Sequence, residues 1–220
     1  MASTSDELFT AIDAGDALEL ERTLRADPGL ASARDAHGVS ALLRARYRSN
    51  HEAVAAIRPL VELDVFEAAA LGDVARLQEL VSGAPAQVSA RSGDGFTPLH
   101  LASFFGQTDA ARILLAQGAD VDAHGLGWMT GTALHSAASG AHADIVDMLL
   151  AAGADPNARQ AGGWTPMLSA AERGDAPIIE ALLRAGGDAS ATSDEGASMM
   201  DLAMKSGDGR TIELVRAALA

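Results

Sequence analysis

The chain has no cysteine among its 220 residues, so disulfide bonds, thiol chemistry and cysteine-ligated metals are excluded. Aromatic residues make up only 4% although apolar residues reach 48%, a balance that favours closely packed helices with an aliphatic core. Basic side chains are also few, 16 against 30 acidic ones, and the formal net charge is -14. This charge opposes binding to nucleic acid or to an anionic membrane, because little positive charge is available to neutralise phosphate.

Long apolar runs are missing as well. The first residues, MASTSDELFTAIDAGD, lack the basic and apolar regions of a signal peptide, and no segment approaches the roughly 18 apolar residues that span a bilayer. These absences predict a cytoplasmic location. Lysine occurs once, at Lys205, and the abundance of arginine and alanine indicates a GC-rich bacterial source.

The stretch GDGFTPLHLASFFGQTDAARILLAQGAD, residues 93–120, predicts two short helices. Thr97 is a suitable N-cap, and Pro98 fits the first helical position because the N–H it lacks would have no partner there. Gly106 ends the first helix, and Gly118 follows the second. The same pattern returns after steps of 35, 33 and 33 residues, beginning at Thr132, Thr165 and Ser198.

These motifs carry a family resemblance. With TPLHLA at 97–102, TALHSA at 132–137, and GADVDA and GADPNA after the second helices, the chain resembles the ankyrin-repeat proteins. The resemblance implies an all-α solenoid of helix pairs with short β-hairpin connections, in which each pair buries its apolar face against its neighbours. The motifs are regular over 97–220 and degenerate over 6–96.

The residue that ends each first helix can be aligned along the whole chain, which predicts seven units in a single domain over residues 1–220. The aligned residues are Gly15, Ser49, Gly72, Gly106, Ala141, Gly174 and Gly207. One step is only 23 residues, so the hairpin between the second and third units is predicted to be missing. Asp64 and Glu67 form a predicted capping box at that point. The predicted units are approximately 4–34, 35–63, 64–91, 92–125, 126–158, 159–191 and 192–220.

Six histidines invite a metal or catalytic hypothesis, but their places favour structural roles. His100 and His135 hold the fourth position of T-P-L-H, where the resemblance implies that the imidazole ties the threonine hydroxyl to neighbouring backbone. The others begin second helices or lie in hairpin regions: His51, His142, His37 and His124. No catalytic residue, metal ligand or cofactor is predicted, and the chain is expected not to be an enzyme.

Three further patterns are rejected as sites. DVDAHG at 120–125 resembles the start of a calcium loop, but Gly131 stands where a bidentate Glu is needed. GLGWMTG at 125–131 lacks the third glycine of a dinucleotide fingerprint and is better explained as a longer hairpin tip. Arg44, Arg46 and Arg48 form a small basic cluster, in which Arg44 and Arg48 share one face of a helix and Arg46 does not, and a solvated face is the interpretation.

The aromatic residues mark a candidate partner surface. In ankyrin-repeat proteins the hairpin tips and the ends of the first helices line a concave surface that binds partners, and Phe104 and Phe105 hold such end positions. On an ideal helix each points more than a quarter turn away from the core position Leu99. Exposed adjacent rings mark interaction sites, and aromatics and arginine are frequent interface anchors. The predicted partner-binding residues are Tyr47, Arg48, Phe96, Phe104, Phe105, Trp128, Met129, Trp164, Glu172 and Arg173.

The sequence leaves alternatives open for both the rings and the function. Phe96 and Trp164 can instead pack across the base of a hairpin. We expect a monomeric, non-enzymatic module that binds another protein through its concave face. The alternatives are a dedicated inhibitor or immunity-type protein of one enzyme, and a small-molecule binder or atypical enzyme using the aromatic groove near Trp128. An open groove favours protein binding, whereas a closed pocket with a perturbed titratable group favours a small molecule.

Overall fold

The structure, a computed structural model, describes residues 4–126 and 130–220, and within these ranges fourteen α-helices follow one another in pairs. Two or three residues join the two helices of each pair. The helices are α1 Ser5–Ala14, α2 Ala17–Ala26, α3 Ala41–Tyr47, α4 His51–Ile57, α5 Val65–Leu71, α6 Val74–Gly83, α7 Pro98–Phe104, α8 Thr108–Ala116, α9 Ala133–Gly140, α10 Ala143–Ala151, α11 Pro166–Arg173, α12 Ala176–Arg184, α13 Met199–Ser206 and α14 Gly209–Ala218.

The predicted helix starts are confirmed by their capping hydrogen bonds. The Ser40 hydroxyl accepts from the Leu43 backbone N–H at 3.2 Å, at the start of α3. At the start of α5, the Asp64 carboxylate accepts from the Glu67 N–H at 2.8 Å, and the Glu67 carboxylate accepts from the Asp64 N–H at 3.0 Å. This reciprocal pair satisfies backbone donors that the first turn cannot pair internally.

The seven residues aligned as ends of first helices all adopt the left-handed conformation, with φ between 52° and 75°. Five of them are glycine, which reaches this region at little cost. Ser49, with φ 52°, and Ala141, with φ 61°, do so with a Cβ atom. The same left-handed residue therefore reverses the chain direction between the first and second helix of every pair.

The pairs stack in one line. From α1 to α13 each first helix packs against the first helix of the next pair, and most second helices do the same with one another. Their apolar faces form one continuous core of leucine, isoleucine, valine and alanine. A smaller second cluster lies apart from it and consists of Val39, Leu43, Ala70, Phe96 and Leu101.

The predicted all-α solenoid of helix pairs is confirmed, but its hairpin connections form no β-sheet in the described ranges. They are tight turns with two isolated antiparallel bridges, Arg34 with Ser40 and Thr192 with Ser198. Between the second and third pairs the chain makes a short 3-10 turn, Arg58–Leu60, and reaches the N-cap Asp64 four residues later. The unit boundaries given above stay a prediction, because the structure defines helix ends rather than unit ends.

Candidate functional site

A groove of about 680 Å³ lies between the first helices α3 and α7 and the two hairpins that precede them. Aromatic, aliphatic and charged side chains line this groove. The residues that line the groove include Asp35, Val39, Arg44, Tyr47, Arg48, Arg91, Asp94, Phe96, Leu101 and Phe104. The sequence predicted a partner surface at the C-terminal ends of the first helices, where Tyr47 and Phe104 lie.

Three aromatic rings meet at the edge of the groove, and we refer to Tyr47, Phe104 and Phe105 as the aromatic cluster. Tyr47 ends α3, Phe104 ends α7 and Phe105 follows it. The ring centroids of Tyr47 and Phe105 lie 5.4 Å apart, those of Tyr47 and Phe104 6.4 Å, and those of the two phenylalanines 5.1 Å. These separations fall within the range in which aromatic pairs attract one another.

The aromatic cluster joins helices that are not neighbours in the stack. Helix α5 lies between α3 and α7, and it carries three consecutive alanines, Ala68, Ala69 and Ala70, all fully buried. Because these side chains are small, the larger rings on both sides can reach across α5. The sequence showed the rings and the alanines, but their juxtaposition follows only from the stacking.

Phe105 is both a cluster member and a packing residue. Its ring packs against the second cluster, and the guanidinium carbon of Arg46 lies 4.7 Å from its centroid. The Arg46 Nε–H also donates to the Ala70 carbonyl at 3.4 Å, and burial lowers the pKa of Arg46. Phe105 is therefore partly buried against the cluster that contains Leu101 of α7, and its role in binding a partner stays a prediction.

Arg46 belongs to the basic cluster that was interpreted as solvated, although it lies on a different helix face from Arg44 and Arg48. Its half-buried guanidinium stacks on an aromatic ring instead. Arg44 and Arg48 do share one partner, since both bind the Asp13 carboxylate, at 2.6 Å and 2.9 Å. The hydrogen bond from Arg44 is the main reason that the pKa of Asp13 lies well below its usual range.

Tyr47 is fixed by a carboxylate from the hairpin before α7. Its hydroxyl donates to the Asp94 carboxylate at 2.7 Å, and the Ser92 hydroxyl donates to the other oxygen of Asp94. Burial, and then the negative charge of Asp94, raise the pKa of Tyr47. The phenol is therefore a neutral hydrogen-bond donor.

The hairpin before α3 contacts the hairpin before α7. A Cβ atom added to Gly93 would lie 2.2 Å from the His37 carbonyl oxygen and 2.7 Å from the Gly38 Cα atom. Such an approach is possible only for glycine. Because no hairpin separates them, the hairpins before α3 and α7 close against each other and bound the groove on that side.

The structure brings only some of the predicted partner-binding residues together. Tyr47, Arg48, Phe96 and Phe104 line the groove, and Phe105 adjoins it through the aromatic cluster. Phe96 is 5% exposed and belongs to the second cluster, so it forms the floor of the groove and does not project from it.

The remaining predicted residues lie elsewhere or outside the described ranges. Trp164 is half-buried, and its carbonyl accepts a hydrogen bond from the His135 Nε2–H at 3.1 Å. Glu172 and Arg173 are exposed at the end of α11, where Glu172 pairs with Lys205 of the next unit at 2.9 Å. Trp128 and Met129 lie outside the described residues.

The histidines of the T-P-L-H motifs take the structural role that the resemblance implies. The His100 Nδ1 atom lies 2.7 Å from the Thr97 hydroxyl, and its Nε2–H donates to the Gly131 carbonyl at 2.9 Å. Both His100 and His135 are 1% exposed, and burial lowers the pKa of each to about 4. They are therefore neutral links between neighbouring units at pH 7.

His142 makes a contact between units that the sequence did not predict. His142 was expected to be a first-turn surface residue, yet its Nε2 atom hydrogen-bonds to the Phe104 carbonyl at 3.1 Å. This contact fixes the end of α7, where the aromatic cluster begins. Within residues 4–126 and 130–220, no group of three or more histidine or acidic side chains could hold a metal ion.

The fold and the groove define a class of protein, a solenoid of stacked helix pairs with a groove lined by helix ends and tight turns. Residues 65–160 and 134–218 match the family described as "Ankyrin repeats (3 copies)". These matches span more than half of the chain, which therefore belongs to the ankyrin-repeat family.

A stretch of this chain is similar to part of a much longer protein. A transient receptor potential cation channel subfamily A member 1 homolog from Caenorhabditis elegans is 34% identical over 102 residues. That stretch is 46% of this chain but only 8% of the relative. Among the described residues no helix has the length and hydropathy needed to cross a membrane.

Proposed function

We propose that the chain is a monomeric, non-enzymatic module that binds another protein through the concave side of its stack, with the aromatic cluster as the central anchor. The observation that supports this most directly is the meeting of Tyr47, Phe104 and Phe105 at the rim of one groove. Ankyrin repeats are generally protein-interaction modules, and aromatic side chains are enriched among residues that dominate binding energy.

Preorganisation of the cluster favours tight binding. Tyr47 is held by Asp94, the backbone of Phe104 by His142, and the Phe105 ring by Arg46. Each side chain that is ordered before binding spares an entropy cost on association, on the order of 0.5–1.5 kcal/mol. The net charge of -14 favours a neutral or basic partner, whose approach it would accelerate.

The experiment is affinity capture from the source cell with the immobilised chain, followed by calorimetry with each captured protein after purification. The Phe104→Ala variant is expected to bind at least about thirtyfold more weakly, which corresponds to the roughly 2 kcal/mol of a hot-spot residue. Leu18→Ala is the matched control, because Leu18 is 82% exposed on the second helix α2. Equal affinities for Phe104→Ala and the unchanged chain would overturn the proposal.

The same measurement shows how far the interface extends. Glu172 and Arg173 occupy in α11 the places that Phe104 and Phe105 hold at α7. If Glu172→Ala also weakens binding, the partner reaches three units along the concave side. A single partner captured in stoichiometric amount would identify the alternative of a dedicated inhibitor, whereas several partners would identify a scaffold.

A further inference from the structure

Three arginines hold equivalent positions in their units but differ in whether a carboxylate pairs with them. Arg34, Arg91 and Arg159 each stand six residues before the N-cap of a first helix, at Ser40, Thr97 and Thr165. Arg34 pairs with Asp64 at 2.8 Å, and Arg159 pairs with Asp194 at 3.1 Å. Arg91 makes the same backbone contact as Arg34, donating to the Gly95 carbonyl at 3.0 Å, but no carboxylate of the described residues lies within 4 Å of it.

The sequence explains why Arg91 differs. Asp194, the partner of Arg159, stands four residues before the N-cap Ser198 of the next first helix. The same place before Thr132 is occupied by Trp128, which carries no charge. The sequence therefore offers Arg91 no acidic partner at this position, and Arg91 is the arginine of the three that lines the groove.

Both carboxylates that line the groove already accept hydrogen bonds from the protein. Asp35 accepts from the backbone N–H groups of His37 and Val39 at 2.9 Å and 3.0 Å and faces Arg44 at 3.5 Å. Asp94 accepts from the hydroxyl groups of Tyr47 and Ser92. The guanidinium of Arg91 has no carboxylate partner among the described residues, so its remaining N–H donors are available to a ligand in the groove.

The rest of the groove suits an apolar body of limited size. Val39, Leu101, Phe96 and Phe104 supply apolar wall, and a volume of about 680 Å³ lies within the range of roughly 300–1,000 Å³ that is usual for small-molecule sites. The contact between the Gly38 and Gly93 hairpins closes one side. A groove of this volume, closed on one side, has room for a compact molecule.

We infer that the groove binds a small amphipathic anion, whose apolar body lies against Val39, Leu101 and Phe104 and whose carboxylate or sulfonate is bound by Arg91. This site shares the Phe104 ring with the proposed protein-binding surface, but its preference for an anion depends on Arg91, so it can be tested independently of that function. A guanidinium pairs with such groups through two parallel hydrogen bonds, which gives both affinity and orientation.

The test uses two dyes that share an aromatic body and differ in charge, 8-anilinonaphthalene-1-sulfonate and uncharged N-phenyl-1-naphthylamine. Fluorescence titration and calorimetry of the full chain are expected to show saturable binding of the sulfonate at one site, at least tenfold tighter than the uncharged dye. Arg91→Gln is expected to remove that tenfold preference and leave the uncharged dye unaffected.

Arg159→Gln is the matched control, because Arg159 holds the equivalent place outside the groove and is expected to change neither affinity. Arg91→Lys, which keeps the charge but not the two parallel donors, is expected to retain only part of the preference. If Arg91→Gln loses its helical circular dichroism, Val39→Phe replaces it and is expected to weaken both dyes by filling the groove. Absence of saturable sulfonate binding, or equal sulfonate affinity in Arg91→Gln and the unchanged chain, would overturn the inference.

Discussion

Tyr47 of α3 and Phe105, directly after α7, lie with their ring centroids 5.4 Å apart, although a complete helix pair separates them along the chain. Two features make this contact possible. The alanines of α5 leave room for the rings, and the absence of a hairpin between the second and third pairs lets the flanking hairpins meet at Gly38 and Gly93. The aromatic cluster and the groove therefore share one structural origin.

The two adjacent phenylalanines are predicted to separate folding from binding. Phe105 packs on the second cluster and beneath Arg46, so Phe105→Ala is expected to lower the free energy of unfolding by about 2 kcal/mol or more. Phe104 is not part of that packing, and Phe104→Ala is expected to cost less than about 1 kcal/mol. Urea melts of both variants measure the difference. Equal losses would mean that the two rings contribute alike to the core.

The buried histidines are predicted to make stability depend on pH between 4 and 6.5. His100 and His135 have pKa values of about 4 in the folded chain against an ordinary value of 6.5. As the pH falls through this window the unfolded chain binds protons that the folded chain does not, so stability decreases by up to about 1.4 kcal/mol per pH unit for each histidine. Above pH 6.5 this contribution is fully present.

His135→Leu isolates that effect, because Leu168 holds the same place in the sixth unit and shows that leucine fits there. The variant is expected to lose part of its stability at pH 8, through the hydrogen bond to the Trp164 carbonyl, but to show a shallower decline below pH 6.5. Urea melts at half-unit intervals of pH compare the two slopes. Identical slopes would show that His135 does not titrate differently in the folded and unfolded chains.

Ala141 is predicted to be a strained helix end. Its φ of 61° costs a residue with a Cβ atom roughly 1–2 kcal/mol, so Ala141→Gly is expected to raise stability by about 0.5–1 kcal/mol. Gly15→Ala is the reverse change, at a site with φ 68° and no neighbouring atom within 4 Å of the added Cβ. It is expected to lower stability by a similar amount. Thermal melts of both variants check the opposite signs.

The hairpin contact is predicted to be intolerant of a single added methyl group. In Gly93→Ala the new Cβ would meet the His37 carbonyl oxygen at 2.2 Å, so the hairpins must separate. We expect a loss of about 1–3 kcal/mol and faster hydrogen exchange in both hairpins. Gly83→Ala, at the end of α6 with open space around the new Cβ, is expected to have neither effect. Unchanged exchange in Gly93→Ala would exclude the close contact.

The sequence alone determined the fold, because the fold rests on local signals repeated at a nearly constant spacing. Thr97 and Asp64 start helices through hydrogen bonds to the next few residues, and Gly106 ends one through its own backbone freedom. Such interactions lie within a few residues of each other, so a reader of the sequence can place them. The buried roles of His100 and His135 followed from the same motif.

The tertiary structure decided which surface residues meet. Phe104 and Phe105 have almost the same sequence context, yet only Phe105 packs on the second cluster, since that depends on Leu43 and Ala70 from other units. Whether Arg91 has a carboxylate partner depends likewise on residues of a neighbouring unit. Contacts between units arise from the rise and rotation of the stack, and these are set by packing across the whole solenoid rather than by any local stretch of sequence.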